Sequence, residues 1–435
     1  MLKVRNMIKR LSTAKILCFG FALVILVGAF ILWLPISLHE GKHIQFLDAL
    51  FVSGSAVCVT GLTTVDVGNT FSAFGETVIA ILIQIGGLGI ATIGVLFIMI
   101  VGKNIGLKSR LCVRDSMNIS GLGGLIKSVQ TFLKIALVCE AIGAILSFFV
   151  FVQDYPISRA IGISIFHSIS AFNNAGFDIL GGFDSLLQYK NDVFLNLVTA
   201  GLVILGGLGF LVMMDIIKTH SWKRFMLQTK IVITMTVFLL FMGTVLIKMN
   251  EDITWLGAFF TSTIARTAGF STYPLADFTM PSIFVFLILM YIGASPGSTG
   301  GGVKTTTIFA VFVKAISSSI TRTKNMIFRR RLSDSLISRA GVVLLFASTV
   351  IFIGTFLLLC FEPNVELHEA LVEVTSAFAT VGSSCGITTS LSEASKILII
   401  VVMFIGRLGP VTIASLLMMK EEPKIMYTEE NIMIG

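Results

Sequence analysis

In four segments of this chain, each lying between two apolar runs in the same order, a serine or threonine stands six residues ahead of a glycine: Ser55 before Gly61, Ser170 before Gly176, Thr263 before Gly269 and Ser376 before Gly382. The five intervening residues differ each time, so what the four segments share is a backbone feature rather than a side-chain one. Glycine accepts the positive φ that lets successive carbonyls turn toward the same side. Stacked rings of carbonyl oxygens can replace the water shell of a dehydrated monovalent cation without adding fixed charge. The expected ligands are the carbonyls of Val59, Thr60 and Gly61, of Asn174, Ala175 and Gly176, of Thr267, Ala268 and Gly269, and of Thr380, Val381 and Gly382. Any one of these glycines, taken singly, reads as a turn at a helix C-terminus. Equivalent placement in four units favours an ion filter.

Two further features carry chemistry. The stretch Gly293-Ala-Ser295-Pro296-Gly297-Ser-Thr-Gly300-Gly301-Gly302 holds five glycines and a proline in ten residues, so it must break the apolar helix that contains it. With Lys304 just beyond it, this loop is a candidate gate beneath the filter. Its likeness to a nucleotide-binding loop fails, because Val303 separates Gly302 from Lys304 and an apolar helix, not a strand, precedes it. Arg407 sits in the middle of another apolar run, where a charge costs about 2.5 to 3.5 kcal/mol unless it meets water or a partner. It is expected to face the pore and to act as an electrostatic barrier with the glycine-rich loop. Glu140 and Lys134 read as structural ion partners.

The elements that must position these residues follow from a second marker in the apolar run after each filter glycine: Ile85-Gly-Gly-Leu-Gly89, Leu205-Gly-Gly-Leu-Gly209, Ile292-Gly-Ala-Ser-Pro296 and Ile405-Gly-Arg-Leu-Gly409. Both markers keep step, giving four tandem units of outer helix, half-helix with pore loop, and inner helix. Outer helices are expected near 14–36, 129–152, 229–249 and 338–361, and inner helices near 76–101, 193–217, 281–316 and 395–418. Half-helices near 46–58, 158–173, 253–266 and 366–379 are too short to span a bilayer. They must be re-entrant, and irregular backbone at membrane depth is tolerated only around a shared cavity.

Composition requires the bilayer: the 435 residues are 55% hydrophobic and 13% charged, with a mean hydropathy of +0.94. The net charge of +8 lies in the N-terminal stretch and in three segments, Lys103 to Lys127, Lys218 to Lys230 and Lys314 to Arg339, which the positive-inside rule places in the cytoplasm. Acid-richer segments between them face outward, and nothing indicates a nucleic-acid partner. The first apolar run is too long for a secretory signal, and no small-residue cleavage site follows it. Six scattered cysteines offer neither a disulfide framework nor a zinc site, and five dispersed histidines offer no catalytic constellation. The chain does not read as an enzyme.

The stretches Val59-Thr-Gly-Leu-Thr63, Asn173-Asn-Ala-Gly-Phe-Asp178, Arg266-Thr-Ala-Gly-Phe-Ser271 and Thr380-Val-Gly382, with the glycine-rich break, resemble the Trk/Ktr/HKT superfamily of potassium transporters over essentially the whole chain. Within it the chain is most similar to the bacterial Ktr membrane subunits of the KtrB or KtrD type, since it begins directly with the first repeat whereas Trk-type subunits carry extra helices in front. The resemblance implies potassium uptake, with Gly61 marking potassium selectivity where sodium-favouring members often carry serine. It implies an intramembrane gate in the glycine-rich loop and a homodimer with one pore per protomer. It also implies a cytosolic regulatory ring of KtrA or KtrC type that binds ATP, ADP or NAD, with sodium as a candidate activator.

The expectation is therefore an all-α, multi-pass protein of the bacterial cell membrane, with eight transmembrane helices in pseudo-fourfold array and both termini cytoplasmic. Its divisions are a cytoplasmic N-terminus (1–13), repeats at 14–104, 105–220, 221–318 and 319–420, and a cytoplasmic tail (421–435) whose apolar end resembles family tails at a dimer interface. Two other classes compete: a coupled sodium/potassium symporter, which inverted repeats would favour, and a polytopic scaffold without a pore.

Overall fold

A computed structural model describes residues 13–89, 92, 111, 125–320, 326–328 and 330–409. In the first repeat α1 (Thr13–Trp33) is followed by α2 (Phe46–Cys58), a single turn α3 (Val67–Thr70) and α4 (Ala73–Leu88). The second holds α5 (Leu125–Phe151), α6 (Ile157–Phe172), α7 (Val193–Leu208) and α8 (Phe210–Thr219). The third holds α9 (Leu227–Asn250), α10 (Trp255–Ile264), α11 (Met280–Tyr291) and α12 (Thr305–Ile320). The fourth holds α13 (Asp334–Phe361), α14 (Leu367–Ala379) and α15 (Glu393–Leu408). Between α12 and α13 lies a two-residue antiparallel pairing that the helical reading did not anticipate, β1 (Met326–Ile327) with β2 (Arg330–Arg331). The N-terminal basic stretch, most of 103–127, Arg329, Pro410 and the C-terminal tail lie outside the described residues.

The outer helices α1, α5, α9 and α13 are each long and apolar enough to cross a bilayer, and only a third of each is buried. The exposed face of α1 carries Phe19, Leu23 and Phe30, as a lipid-facing surface should. Two of the half-helices are the reverse: residues 51–60 of the first and 372–381 of the fourth are buried without exception.

Each outer helix brings a glycine to the point where its repeat closes. A Cβ at Gly28, Gly143 or Gly243 would stand 2.6–2.8 Å from Leu82, Leu202 or Leu289 of the inner helix, and one at Gly354 would stand 2.8 Å from Val374 of the half-helix. Small residues let helix backbones approach closely in a membrane. Over that approach a half-helix serine donates to an outer-helix carbonyl three residues before the glycine: Ser53 to Ile25 at 2.7 Å, Ser168 to Glu140 at 2.6 Å and Ser262 to Leu240 at 3.2 Å. The fourth repeat has Val374 instead. Between repeats, each inner helix packs against the half-helix of the next unit: α4 on α6, α7 on α10, α11 on α14, and α15 back on α2. The circle closes, so the four units enclose one axis.

The inner elements differ from the continuous helices expected. Besides the glycine-rich break between α11 and α12, the second inner span turns by 97° between α7 and α8. The hinge is Gly209, at φ 87° and ψ 143°, and the last glycines of the first and fourth second-markers match it: Gly89 at 85° and 135°, Gly409 at 82° and 147°. Only glycine occupies that region without strain. A helix of 16 residues reaches about 24 Å, short of a hydrocarbon core of about 30 Å. The eight apolar spans are thus not eight uninterrupted helices: among the described residues, four are long helices and one is a bent pair.

Candidate ion filter and gate

The half-helices deliver their loops to one ring. A Cβ on Gly61 would fall on the carbonyl of Ala175 and 3.3 Å from Gly176 Cα; one on Gly176, on the carbonyl of Ala268 and 3.1 Å from Gly269 Cα. A Cβ on Gly269 would meet the carbonyl of Val381 with Gly382 Cα at 3.0 Å, and one on Gly382 the carbonyl of Thr60 with Gly61 Cα at 3.0 Å. The order runs through repeats one, two, three and four and returns to one. All four glycines have positive φ, at 100°, 68°, 65° and 95° in chain order.

How the loops reach this geometry is local chemistry. α2 ends with Val59 at φ 58° and ψ 49°, and α14 with Thr380 at φ 53° and ψ 53°, both left-handed. The next amide then bonds back to the last turn, Thr60 to Ser55 at 2.8 Å and Val381 to Ser376 at 2.9 Å. The hydroxyls of the same two serines accept the amides of Gly61 and Gly382, each at 3.0 Å. That is why serine sits six residues before glycine. Left-handed valine and threonine carry a steric penalty of about 1–2 kcal/mol each, strain that aims carbonyls no unstrained turn would place. The second loop puts Asn174 at φ 60° and bonds Ala175 to Ser170 at 2.7 Å, but Ser170 Oγ has no partner among the described residues. The third differs further: no residue before Gly269 is left-handed, Thr263 donates to Phe259 at 2.8 Å, and the Phe270 amide bonds to Ala268 at 2.9 Å.

Val59, Thr60, Asn174, Ala175, Ala268, Thr380 and Val381 are fully buried and Thr267 nearly so, whereas the four glycines open onto a vestibule of about 410 Å³. Its lining includes Thr63, Ser185, Ser271, Ser383 and Asp178, oxygen-bearing groups suited to a partly hydrated cation. Behind the loops the second-marker glycines are packing positions. A Cβ at Gly86, Gly206 or Gly406 would land on the carbonyl of Val57, Phe172 or Phe378 at the end of the same repeat's half-helix.

The glycine-rich loop lies between the second and fourth repeats. Ser295 and Thr299 amides donate to Gly207 and Gly206 at 3.1 and 3.3 Å, and the Phe210 amide donates to Gly297 at 3.0 Å, so the loop fills the bend after α7. The missing side chain of Gly209 leaves room for the Pro296 carbonyl, 2.6 Å from a Cβ placed there. On the other side the Gly301 amide donates to Thr380 Oγ1 at 2.9 Å. The loop's ends are drawn together by an Ile292–Val303 bridge, and Gly293 lets the Gly301 carbonyl approach. Lys304 Nζ donates to the Gly300 and Gly301 carbonyls at 2.7 and 3.4 Å. Arg407 reaches across: one guanidinium nitrogen donates to the Thr299 carbonyl, and the other to Gly86 and, at 3.2 Å, to Gly87. One cation thus joins the ends of the first and fourth inner helices to the loop of the third.

Glu140 does not pair with Lys134. Six residues apart, the two point to different faces of α5, and Lys134 is exposed while Glu140 is buried. Its carboxylate accepts from Gln84 at 2.9 and 3.1 Å and from Asn173 at 3.0 Å, and Asn173 also donates to Gln84 at 2.8 Å. The sequence signal for Gln84 is a lone amide within the apolar stretch from Val78 to Ile85, just ahead of Gly86 and Gly87.

A family model described as TrkH, cation transport protein, matches residues 20–249 and 224–428. Among curated proteins, Ktr system potassium uptake protein B of Bacillus subtilis is 38% identical over 98% of this chain and 97% of its own length. The potassium/sodium uptake protein NtpJ of Enterococcus hirae is 35% identical over 98% of both. The crystal structure of the potassium transporter TrkH from Vibrio parahaemolyticus superposes with a TM-score of 0.74 at 20% identity, covering 94% of this chain and 86% of that one, a likeness of fold.

Proposed function

This chain belongs to the TrkH family of cation transport proteins, and from that premise we propose that it conducts potassium into the cell through a channel-like pore on the axis of its four repeats. The closed ring of four glycines carries the reading, because it brings four backbone loops to one point and leaves no room for side chains there. Val59 to Gly61, Asn174 to Gly176, Thr267 to Gly269 and Thr380 to Gly382 supply the potassium ligands through their carbonyls. Gly293 to Gly302 with Lys304 and Arg407 form the gate, supported by the hydrogen bonds that tie that loop to the second and fourth repeats and, through Arg407, to the first. The relatives named for potassium uptake support the choice of ion.

The gate is opened from the cytosol by a nucleotide-binding ring on which two copies of the chain sit. Full-length similarity to proteins of the Ktr system supports this, as do the basic segments at 218–230 and 314–339. Repeats that follow one another in a single sense around the axis favour a pore over a symporter with inverted halves. The test is rubidium uptake into proteoliposomes containing the purified chain, with sodium as competitor. Uptake that saturates with rubidium and resists sodium is expected; no uptake above empty vesicles, or strict dependence on a sodium gradient, overturns the reading.

A further inference from the structure

Three of the four half-helices hold the segment that follows their own filter glycine through one charged or carboxylate side chain. Asp48 on α2 accepts from Thr64 Oγ1 at 2.8 Å. Arg159 on α6 donates to the Ile179 carbonyl at 2.9 Å. Glu373 on α14, with no exposed surface, accepts from Ser384 Oγ and Thr388 Oγ1, each at 2.6 Å. These residues precede their filter glycines by 13, 17 and 9 positions, steps of four, so they occupy one face of the half-helix at three successive turns. A shared face with unlike residues explains why sequence comparison of the repeats does not reveal them.

Two of the three are themselves fixed by the preceding repeat. Glu76, the fourth residue of α4, pairs with Arg159, the third of α6, at 2.7 and 2.8 Å. Lys396, the fourth of α15, pairs with Asp48, the third of α2, at 2.7 Å. The positions are equivalent around the axis and the polarity is reversed. At the third repeat the matching face offers Phe260 and Leu256, and Asp252 lies exposed before the helix begins. Its post-filter segment bonds instead to the outer loop of the second repeat, Ser271 N to Ser185 Oγ at 3.0 Å and Leu186 N to Ser271 O at 2.9 Å.

We propose that Asp48, Arg159 and Glu373 are positioning residues that clamp the outer wall of three filter loops and thereby set the discrimination between potassium and sodium, leaving the third loop as the compliant quadrant. This rests on the filter reading above. A loop whose wall is clamped cannot shrink around a smaller ion, so the clamps act on selectivity and not merely on folding.

The test uses the full chain in proteoliposomes and reads both folded yield and the ratio of rubidium to sodium uptake. Glu373→Gln, Asp48→Asn and Arg159→Gln are each expected to lower that ratio by about tenfold, the factor that corresponds to losing one charge-assisted hydrogen bond. The exchanged pair Glu76→Arg with Arg159→Glu separates the roles. It restores the ion pair in the polarity already present between Lys396 and Asp48, but glutamate cannot donate to the Ile179 carbonyl. Folded yield should recover while the ratio stays low. A wild-type ratio in the exchanged pair, or single variants that lose yield with an unchanged ratio, overturns the proposal. Gly61→Ser, run alongside, tells the two readings apart: if it shifts the ratio and the clamp variants do not, only the clamps are wrong, and if neither shifts it the filter itself is wrong.

Discussion

Alanine at a ring glycine adds one carbon where the fold has no room for it. In Gly269→Ala the new Cβ stands 3.0 Å from Gly382 Cα and falls on the Val381 carbonyl. Ordinary carbon contacts lie near 3.5–4.0 Å, so the neighbouring loop must retreat by roughly half an ångström to an ångström. The backbone adds its own cost, about 1–2 kcal/mol for a non-glycine residue at φ 65°. Because each glycine in the ring faces the carbonyl of the next repeat, any of the four substitutions displaces a carbonyl it does not itself carry. Gly41→Ala supplies the control: its φ is 77°, yet nothing lies within 4 Å of a Cβ there, so it bears the backbone cost alone. The assay is rubidium uptake with sodium competition, paired with thermal unfolding in detergent. Gly41→Ala should lose about 1 kcal/mol of stability with transport unchanged. The four ring variants should lose at least as much and also lose about tenfold in discrimination, the equivalent of 1.4 kcal/mol. Ring variants that behave like Gly41→Ala, or a single sensitive position among the four, would refute the closed-ring argument.

Arg407→Lys replaces a fork that spans the Thr299 and Gly86 carbonyls by a point charge that holds one of them; unregulated uptake should rise severalfold, as measured in vesicles without any partner. Thr380→Val strips the acceptor from the Gly301 amide, and a buried donor left unmet costs about 1–3 kcal/mol, so the same rise in basal uptake is expected at nearly constant side-chain volume. Gly143→Val should prevent α5 from seating against Leu202 and abolish folded protein, read by size-exclusion chromatography, whereas Gly162→Ala, with nothing within 4 Å, should be neutral. Ser168→Ala removes one interhelical bond and should cost about 0.6–1.7 kcal/mol in unfolding without altering selectivity.

Apolar runs of a spanning length, punctuated twice per unit by glycine motifs, made the four repeats and even the limits of α2 legible, because burial against lipid and in the core both act through residue type. The ring itself was legible only through the recurrence of Gly61, Gly176, Gly269 and Gly382. What escaped the sequence were features that depend on which neighbour a residue meets. Gly28, Gly143, Gly243 and Gly354 sit at uneven distances from their filter glycines and look like ordinary glycines in membrane helices. The bend at Gly209 was hidden because an apolar run keeps its hydropathy whether or not its helix turns a corner, and its cause, the loop that fills the corner, lies some ninety residues away. Glu140 finds its partners, Gln84 and Asn173, on other elements, because six residues put Lys134 on a different face of the same helix.

The departures from fourfold symmetry concentrate in the third repeat. Among the described residues, the loop that ends at Gly269 has no left-handed residue before the glycine, its half-helix offers no side-chain bond to the segment that follows, and its inner helix is broken by the loop that Arg407, Thr380 and α7 hold. A strained, clamped loop resists displacement, because moving it breaks charge-assisted bonds before the strain is relieved. An unclamped one moves at the cost of a few neutral bonds. On the proposed reading, the glycine-rich loop touches this compliant loop directly: Gly300 is packed against Thr267, 2.6 Å from Thr267 Cγ2 if a Cβ is built there. On that reading, gate and filter meet at two repeats: at the third through Gly300 and Thr267, and at the fourth through the bond from the Gly301 amide to Thr380. A substitution that stiffens the 295–302 loop should then alter ion discrimination as well as conductance, while one that stiffens the first, second or fourth outer wall should leave gating unchanged.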